Sequence, residues 1–153
     1  MVPHEILRDR IIRVIAVTRF PFIDQEDWDE RRRTLVNTSL EKSYGVSTEN
    51  GVLYPGIVVL NPDDSIREIG EVEMVVTPIL AEKWKMLSDS ASVGDHYRKL
   101  FLYVPEGTEA YALSILKENK IQFAGLRVWL IENGVLKTKP FVTPDMLKDH
   151  RVS

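Results

Sequence analysis

Residues 52–76 read VLYPGIVVLNPDDSIREIGEVEMVV, and the reading of this stretch decides the fold. An apolar run, Ile57-Val58-Val59-Leu60, meets the turn signal Asn61-Pro62-Asp63-Asp64, and a second run carries Glu71 and Glu73. β-Branched residues suit a pleated, half-buried surface, whereas Asn, Pro and Asp favour turns, so the stretch predicts a β-hairpin. Side chains alternate along a strand, which puts Glu71 and Glu73 on one face and Val72 on the other. Pairing about the turn brings Pro55-Gly56 level with 69–71. Two carboxylates beside the start of a neighbouring strand have the makings of a hard-cation site.

On these residues the stretch resembles the core of the PD-(D/E)xK nucleases, the restriction-endonuclease-like superfamily. In that superfamily an Asp after a Pro opens one strand, and the next strand carries an acid, one spacer and a Lys. Those three side chains hold Mg²⁺ and a water. Matched position by position, Pro55 falls at the Pro, Glu71 at the second acid and Glu73 at the Lys position, where some members carry Glu or Gln. Gly56 stands where the first metal-binding Asp belongs and has no ligand to offer. The resemblance implies a single α/β domain with a mixed central sheet flanked by helices. It also implies Mg²⁺ or Mn²⁺ as cofactor and DNA as partner. Glu71 would be the principal metal ligand and Glu73 a second ligand or water-orienting base.

The rest of the chain extends this layout. Leu7, Ile11, Val14/Ile15 and Thr18 recur at helical spacing, predicting a helix over 4–17 that Phe20-Pro21-Phe22 ends. Asp24 would cap a second helix over 24–42, with Trp28, Leu35, Val36 and Leu40 as its apolar edge. The resemblance implies a leading helix with a further Glu near the metal. Glu41 is the first candidate for it, ahead of Glu30 and Glu5. A short strand is expected over 44–48 and a turn at Glu49-Asn50-Gly51. Asp63 and Asp64 read as turn formers: the strand 57–60 separates them from Gly56 by roughly 15–20 Å at ~3.3 Å per residue.

After Glu73, Thr77-Pro78 reads as a helix start, with Leu80, Trp84 and Leu87 as the buried stripe of a helix ending near 88. Lys83 and Lys85 flank Trp84. In some relatives the catalytic lysine sits on this helix, so the resemblance implies a catalytic role for Lys83, against the plainer reading of a surface lysine beside a core tryptophan. Strands follow over 99–104 and 125–131 with a helix over 108–119 between them, then an edge strand over 135–142 and a polar tail. The order strand, helix, strand, helix, strand calls for a partly parallel sheet. Together the expectations give N-terminal helices over 1–43, a core over 44–142 and a tail over 143–153.

The bulk numbers set limits. At 153 residues with 44% hydrophobic and 28% charged residues, the chain suits one globular domain. There is no cysteine, which excludes disulfides and thiolate metal sites. His4, His96 and His150 have no ligand spacing, and no glycine-rich phosphate loop or nucleophile elbow occurs. Apolar runs fall short of a membrane span, and the opening residues mix acids with arginines without a cleavable-signal layout, so a cytoplasmic protein is expected. The net charge of −3 argues mildly against tight metal-independent nucleic-acid binding. Arg8, Arg10, Arg13, Arg19 and Arg31-Arg32-Arg33 are either a local basic rim or solvated faces. Two functions follow: a Mg-dependent nuclease acting on DNA, impaired at Gly56, or a non-catalytic module on the nuclease fold that binds nucleic acid or protein. A homodimer with a role of its own is a third possibility, because folds do not fix functions.

Overall fold

The computed structural model describes residues 3–20, 31–91 and 100–144. Within them a mixed six-stranded sheet is sandwiched between helices, giving a single α/β domain. Helix α1 (Pro3–Thr18) covers one face. Helices α2 (Leu80–Ser90) and α3 (Glu109–Glu118) cover the other. The strands are β1 (Arg33–Val36), β4 (Ile57–Leu60), β5 (Ile66–Val72), β6 (Leu100–Pro105), β7 (Gly125–Glu132) and β8 (Val135–Val142), in that spatial order. A separate hairpin is formed by β2 (Val46–Thr48) and β3 (Gly51–Leu53). No helix among the described residues is long and apolar enough to cross a membrane.

The hairpin at the centre forms in the expected register. Strands β4 and β5 pair antiparallel with Ile57 opposite Gly70, so Gly56 comes level with Glu71. Asp63 and Asp64 stay in the turn: Asp63 accepts from the Ser65 N–H and hydroxyl, and Asp64 has a positive φ of 71°. Strands β5, β6 and β7 are parallel, joined through α2 and α3, and β8 returns antiparallel along the edge. Alternation sorts the inner strands. Val58, Leu60, Ile69, Leu100 and Leu102 pack towards α2 and α3, and Ile57, Val59, Val72, Phe101 and Tyr103 pack towards Ile11, Ile12 and Ile15 of α1. Phe20, at the break after α1, lies over Gly70 and meets the Phe101 ring edge-on at 5.6 Å. A Cβ at Gly70 would come within 3.1 Å of the Phe20 ring.

The expected second helix is corrected in its later half. Residues 21–30, with Trp28 and Glu30, lie outside the described residues. Residues 33–36 are strand β1, with Leu35 opposite Val58 and Val36 opposite Ile57. An apolar four-residue segment serves helix or strand equally well, and the open edge of β4 decides for the strand. Asn37, Thr38 and Ser39, poor helix formers, then leave the sheet in a turn. Two helix starts also differ in detail. Thr77 and Pro78 form a turn whose carbonyls accept from the N–H groups of Leu80 and Ala81, and α2 begins behind it without a side-chain cap. Thr108 turns its hydroxyl back to the Pro105 carbonyl instead of capping α3.

Candidate functional site

Glu71 and Glu73 sit at the C-terminal end of β5, on the face towards α2. Glu73 is one residue past the strand, yet it still follows the parallel ladder: its N–H donates to the Tyr103 carbonyl at 2.9 Å, and its own carbonyl accepts from Trp129 Nε1 at 2.9 Å. Both acids are buried, at 3% and 6% exposure. Ionised carboxylates at that depth are costly unless they are paired and hydrogen-bonded. Here they are both.

Lys83, one helical position before the buried Trp84, reaches between the two acids. Its ammonium lies 3.2 Å from Glu71 Oε2 and 2.6 Å from Glu73 Oε2. Trp84 Nε1 donates to the same Glu73 oxygen at 2.9 Å. The other Glu71 oxygen, Oε1, accepts from Arg8 Nη2 at 2.7 Å, from the Gly56 N–H at 2.9 Å and from its neighbour Val72 N–H at 3.2 Å. Arg8 comes from α1, and its Nε also donates to the Val72 carbonyl at 2.9 Å. Two acids therefore meet two bases.

This arrangement sets the protonation. Burial pushes the Glu71 carboxyl up, but Lys83, Arg8 and the Gly56 N–H together outweigh it and hold the group below the usual carboxylate range. For Glu73, burial and the neighbouring Glu71 charge prevail over Lys83 and Trp84, and its carboxyl is raised. Burial would lower the Lys83 ammonium, yet the two carboxylates more than compensate and raise it. Glu71 is the firmly ionised member of the pair, and Glu73 the one nearer to taking up a proton.

A second layer positions these groups. Asn37, 2% exposed at the end of β1, donates from Nδ2 to the carbonyls of Pro55 and Tyr44 and accepts the Tyr44 N–H. Its own N–H donates to the Gly56 carbonyl at 2.9 Å. These bonds fix the backbone at 55–56, and with it the Gly56 N–H aimed at Glu71. Next to Arg8 a cleft of about 230 Å³ is lined by Glu5, Asp9, Asn37, Lys42 and Tyr54 among others. The Lys42 ammonium lies 5.2 Å from the Tyr54 ring centroid.

The expected residues fare unequally. Glu71, Glu73 and Lys83 converge, while Lys85 is exposed. Glu41 does not join them: it lies on an exposed turn, its carbonyl taking the Thr38 N–H, because the described part of the helix expected to present it is strand and turn. Glu5 is exposed on α1, and Glu30 lies outside the described residues. Gly56 contributes an N–H to Glu71, the reverse of a metal ligand. Sequence reasoning missed Arg8 and Asn37. Arg8 was detectable, since 8, 12 and 15 share a helix face, and a charge continuing a buried stripe needs a partner. The Asn37 role depends on a strand pairing that local sequence does not announce.

Mg²⁺ and Mn²⁺ take carboxylate and carbonyl oxygens with geometric demands. In this arrangement the donor set does not fit a resident ion of that kind, because Glu71 Oε1 already receives three N–H groups while Lys83 occupies the facing oxygens of both acids. Comparison with protein-family models, with curated proteins and with solved structures found no match.

Proposed function

We propose that the chain is a nuclease-like module that binds without cleaving. The observation that carries this reading is the internal neutralisation of the acid strand: Lys83 and Arg8 supply, from α2 and α1, the two positive charges that the buried Glu71 and Glu73 require. The resemblance at Pro55, Glu71 and Glu73 and the order of helix, antiparallel strands, helix and parallel strand support a nuclease ancestry. Gly56 and the paired acids support loss of the cutting step. For binding, the cleft beside Arg8 offers the Lys42 ammonium and a half-exposed tyrosine, Tyr54, next to the carboxylates of Glu5 and Asp9. A cation for a phosphate and a ring on which a base stacks are two of the means by which single-stranded nucleic acid is held.

A second reading, a Mg²⁺- or Mn²⁺-dependent nuclease acting on DNA, is favoured by the position of Lys83 between both acids, the place a catalytic lysine on this helix would take. Plasmid nicking in Mg²⁺ and in Mn²⁺ separates the two. The binding reading expects no cleavage by the wild-type chain. Cleavage that Glu71→Ala abolishes would replace it with the enzyme. Anisotropy of a labelled single strand in EDTA measures the binding itself, which Tyr54→Ala should weaken by about 1–3 kcal/mol and Lys42→Ala should weaken with a shallower salt dependence.

A further inference from the structure

The cleft beside Arg8 carries carboxylates as well as cations: Glu5 and Asp9 stand against Arg8 and Lys42. Arg8 is already paired with Glu71, and Asp9 accepts from the Ser39 N–H at 3.1 Å and from the Ser39 hydroxyl. Asp9 thereby ties α1 to the turn after β1 and keeps the two walls of the cleft at their spacing. Lys42 lies over the Tyr54 ring. Glu5 has no hydrogen bond or ion pair among the described residues. A phosphate placed beside Glu5 meets a like charge, so this end of the cleft does not suit the strand backbone. It suits a neutral base that turns N–H donors towards a carboxylate. The volume of about 230 Å³ lies below the ~300–1,000 Å³ of sites for larger ligands and fits one base.

The bases differ in what their pairing edges offer to a carboxylate. Guanine presents N1–H and its 2-amino group side by side, two donors for two acceptor oxygens. Adenine and cytosine set a ring-nitrogen acceptor beside the amino group, and thymine flanks its N–H with two carbonyls. Each of these three brings a lone pair against the carboxylate. We propose that Glu5 makes the cleft selective for guanine, its two oxygens accepting N1–H and the 2-amino group of one guanine in a single strand, with that base stacked on Tyr54. Recognition of splayed-out bases by their pairing edges and by aromatic stacking is the usual means of reading a single strand. Lys42 is left for the flanking phosphate. The inference rests on the binding reading given above and gives the acid of that cleft a task.

The test is fluorescence anisotropy in EDTA with labelled short thymidine strands that carry one central guanine, adenine, cytosine or hypoxanthine. The guanine strand should bind at least about tenfold more tightly than the adenine or cytosine strand, as a bidentate contact discriminates. Hypoxanthine keeps N1–H and lacks the 2-amino group, so its strand should fall between. In Glu5→Gln the guanine and adenine strands should bind alike, and because Glu5 is exposed the substitution leaves the core untouched. Unlabelled guanosine monophosphate should compete more weakly than the unlabelled guanine strand. Equal affinity for the guanine and adenine strands in the wild type, or a guanine preference that survives Glu5→Gln, overturns the proposal and leaves the binding reading standing. Competition by guanosine monophosphate equal to that of the strand overturns it as well, since the base then belongs to a free nucleotide. Failure of every strand to bind overturns the binding reading and this inference with it.

Discussion

Lys83 holds two buried carboxylates that would otherwise repel each other, so its removal leaves uncompensated charge, not just a lost contact. Lys83→Met should cost about 3–5 kcal/mol, the range for breaking a buried ion pair from one side. Adding Glu73→Gln should recover a large share of that loss, because the amide needs no counter-ion. Denaturant melts of the two variants check this, and equal loss in both would contradict it, since methionine keeps the apolar stem and removes the charge. Tyr103 gives a pH-dependent counterpart on the other face of the sheet. Burial pushes its phenol from 10.0 up to about 12, against the pull of Arg127 and Arg19. Between those values the unfolded chain gives up a proton that the folded chain keeps, so stability falls as pH rises. The fall attributable to Tyr103 should reach about 3 kcal/mol at the top of the window, from 1.36 kcal/mol per unit. Lys83, raised above 10.5, adds to the same alkaline loss as it deprotonates. Tyr103→Phe should flatten the Tyr103 part alone, and an unchanged alkaline limb in urea melts would contradict the assignment.

At the level of elements, the site is where four of them meet: α1 brings Arg8, the residue before β4 brings the Gly56 N–H, and the first turn of α2 brings Lys83 and Trp84 to the end of β5. A Cβ on Gly56 would lie 3.0 Å from Ile12 Cδ1 and Cγ1 and 3.5 Å from Glu71 Oε1. Restoring an acid there therefore crowds α1 and sets a third carboxylate beside Glu71. Gly56→Asp should destabilise by about 1–3 kcal/mol through overpacking, and Ile12→Val in the same chain should return part of it. Thermal melts decide; a neutral Gly56→Asp would mean that α1 yields more readily than the packing suggests. The same elements show what the sequence could tell. The hairpin register and the shared face of Glu71 and Glu73 were legible, because strand alternation is local and the apolar runs around them are long, whereas Lys83 was singled out by the resemblance and not by its spacing. Strand β1 was not, since four residues with Leu35 and Val36 fit helix and strand alike until β4 offers an edge. Arg8 and Asn37 act across 64 and 18 residues of chain, and nothing in their immediate neighbours records the partner.

For the molecule as a whole, the sheet carries its charges in two ways. On the α2 side, towards the strand ends, the acids are neutralised by bases from two different helices. On the α1 side Arg127 is buried over the Phe101 ring, 4.9 Å from its centroid, and lies so close to Gly125 that a Cβ there would collide with the guanidinium. The continuous apolar run of β7 hid Arg127, because a single charge inside such a run reads as an interruption until its surroundings are seen. The central claim is that the acid strand is satisfied by the protein's own cations and gains nothing from a metal. Thermal unfolding of the wild-type chain in millimolar Mg²⁺ and in EDTA tests it most directly, since any ligand that binds the folded state raises the unfolding temperature. Coincident melting curves are the expected result; a higher melting temperature in Mg²⁺ that disappears in Glu71→Gln would contradict it.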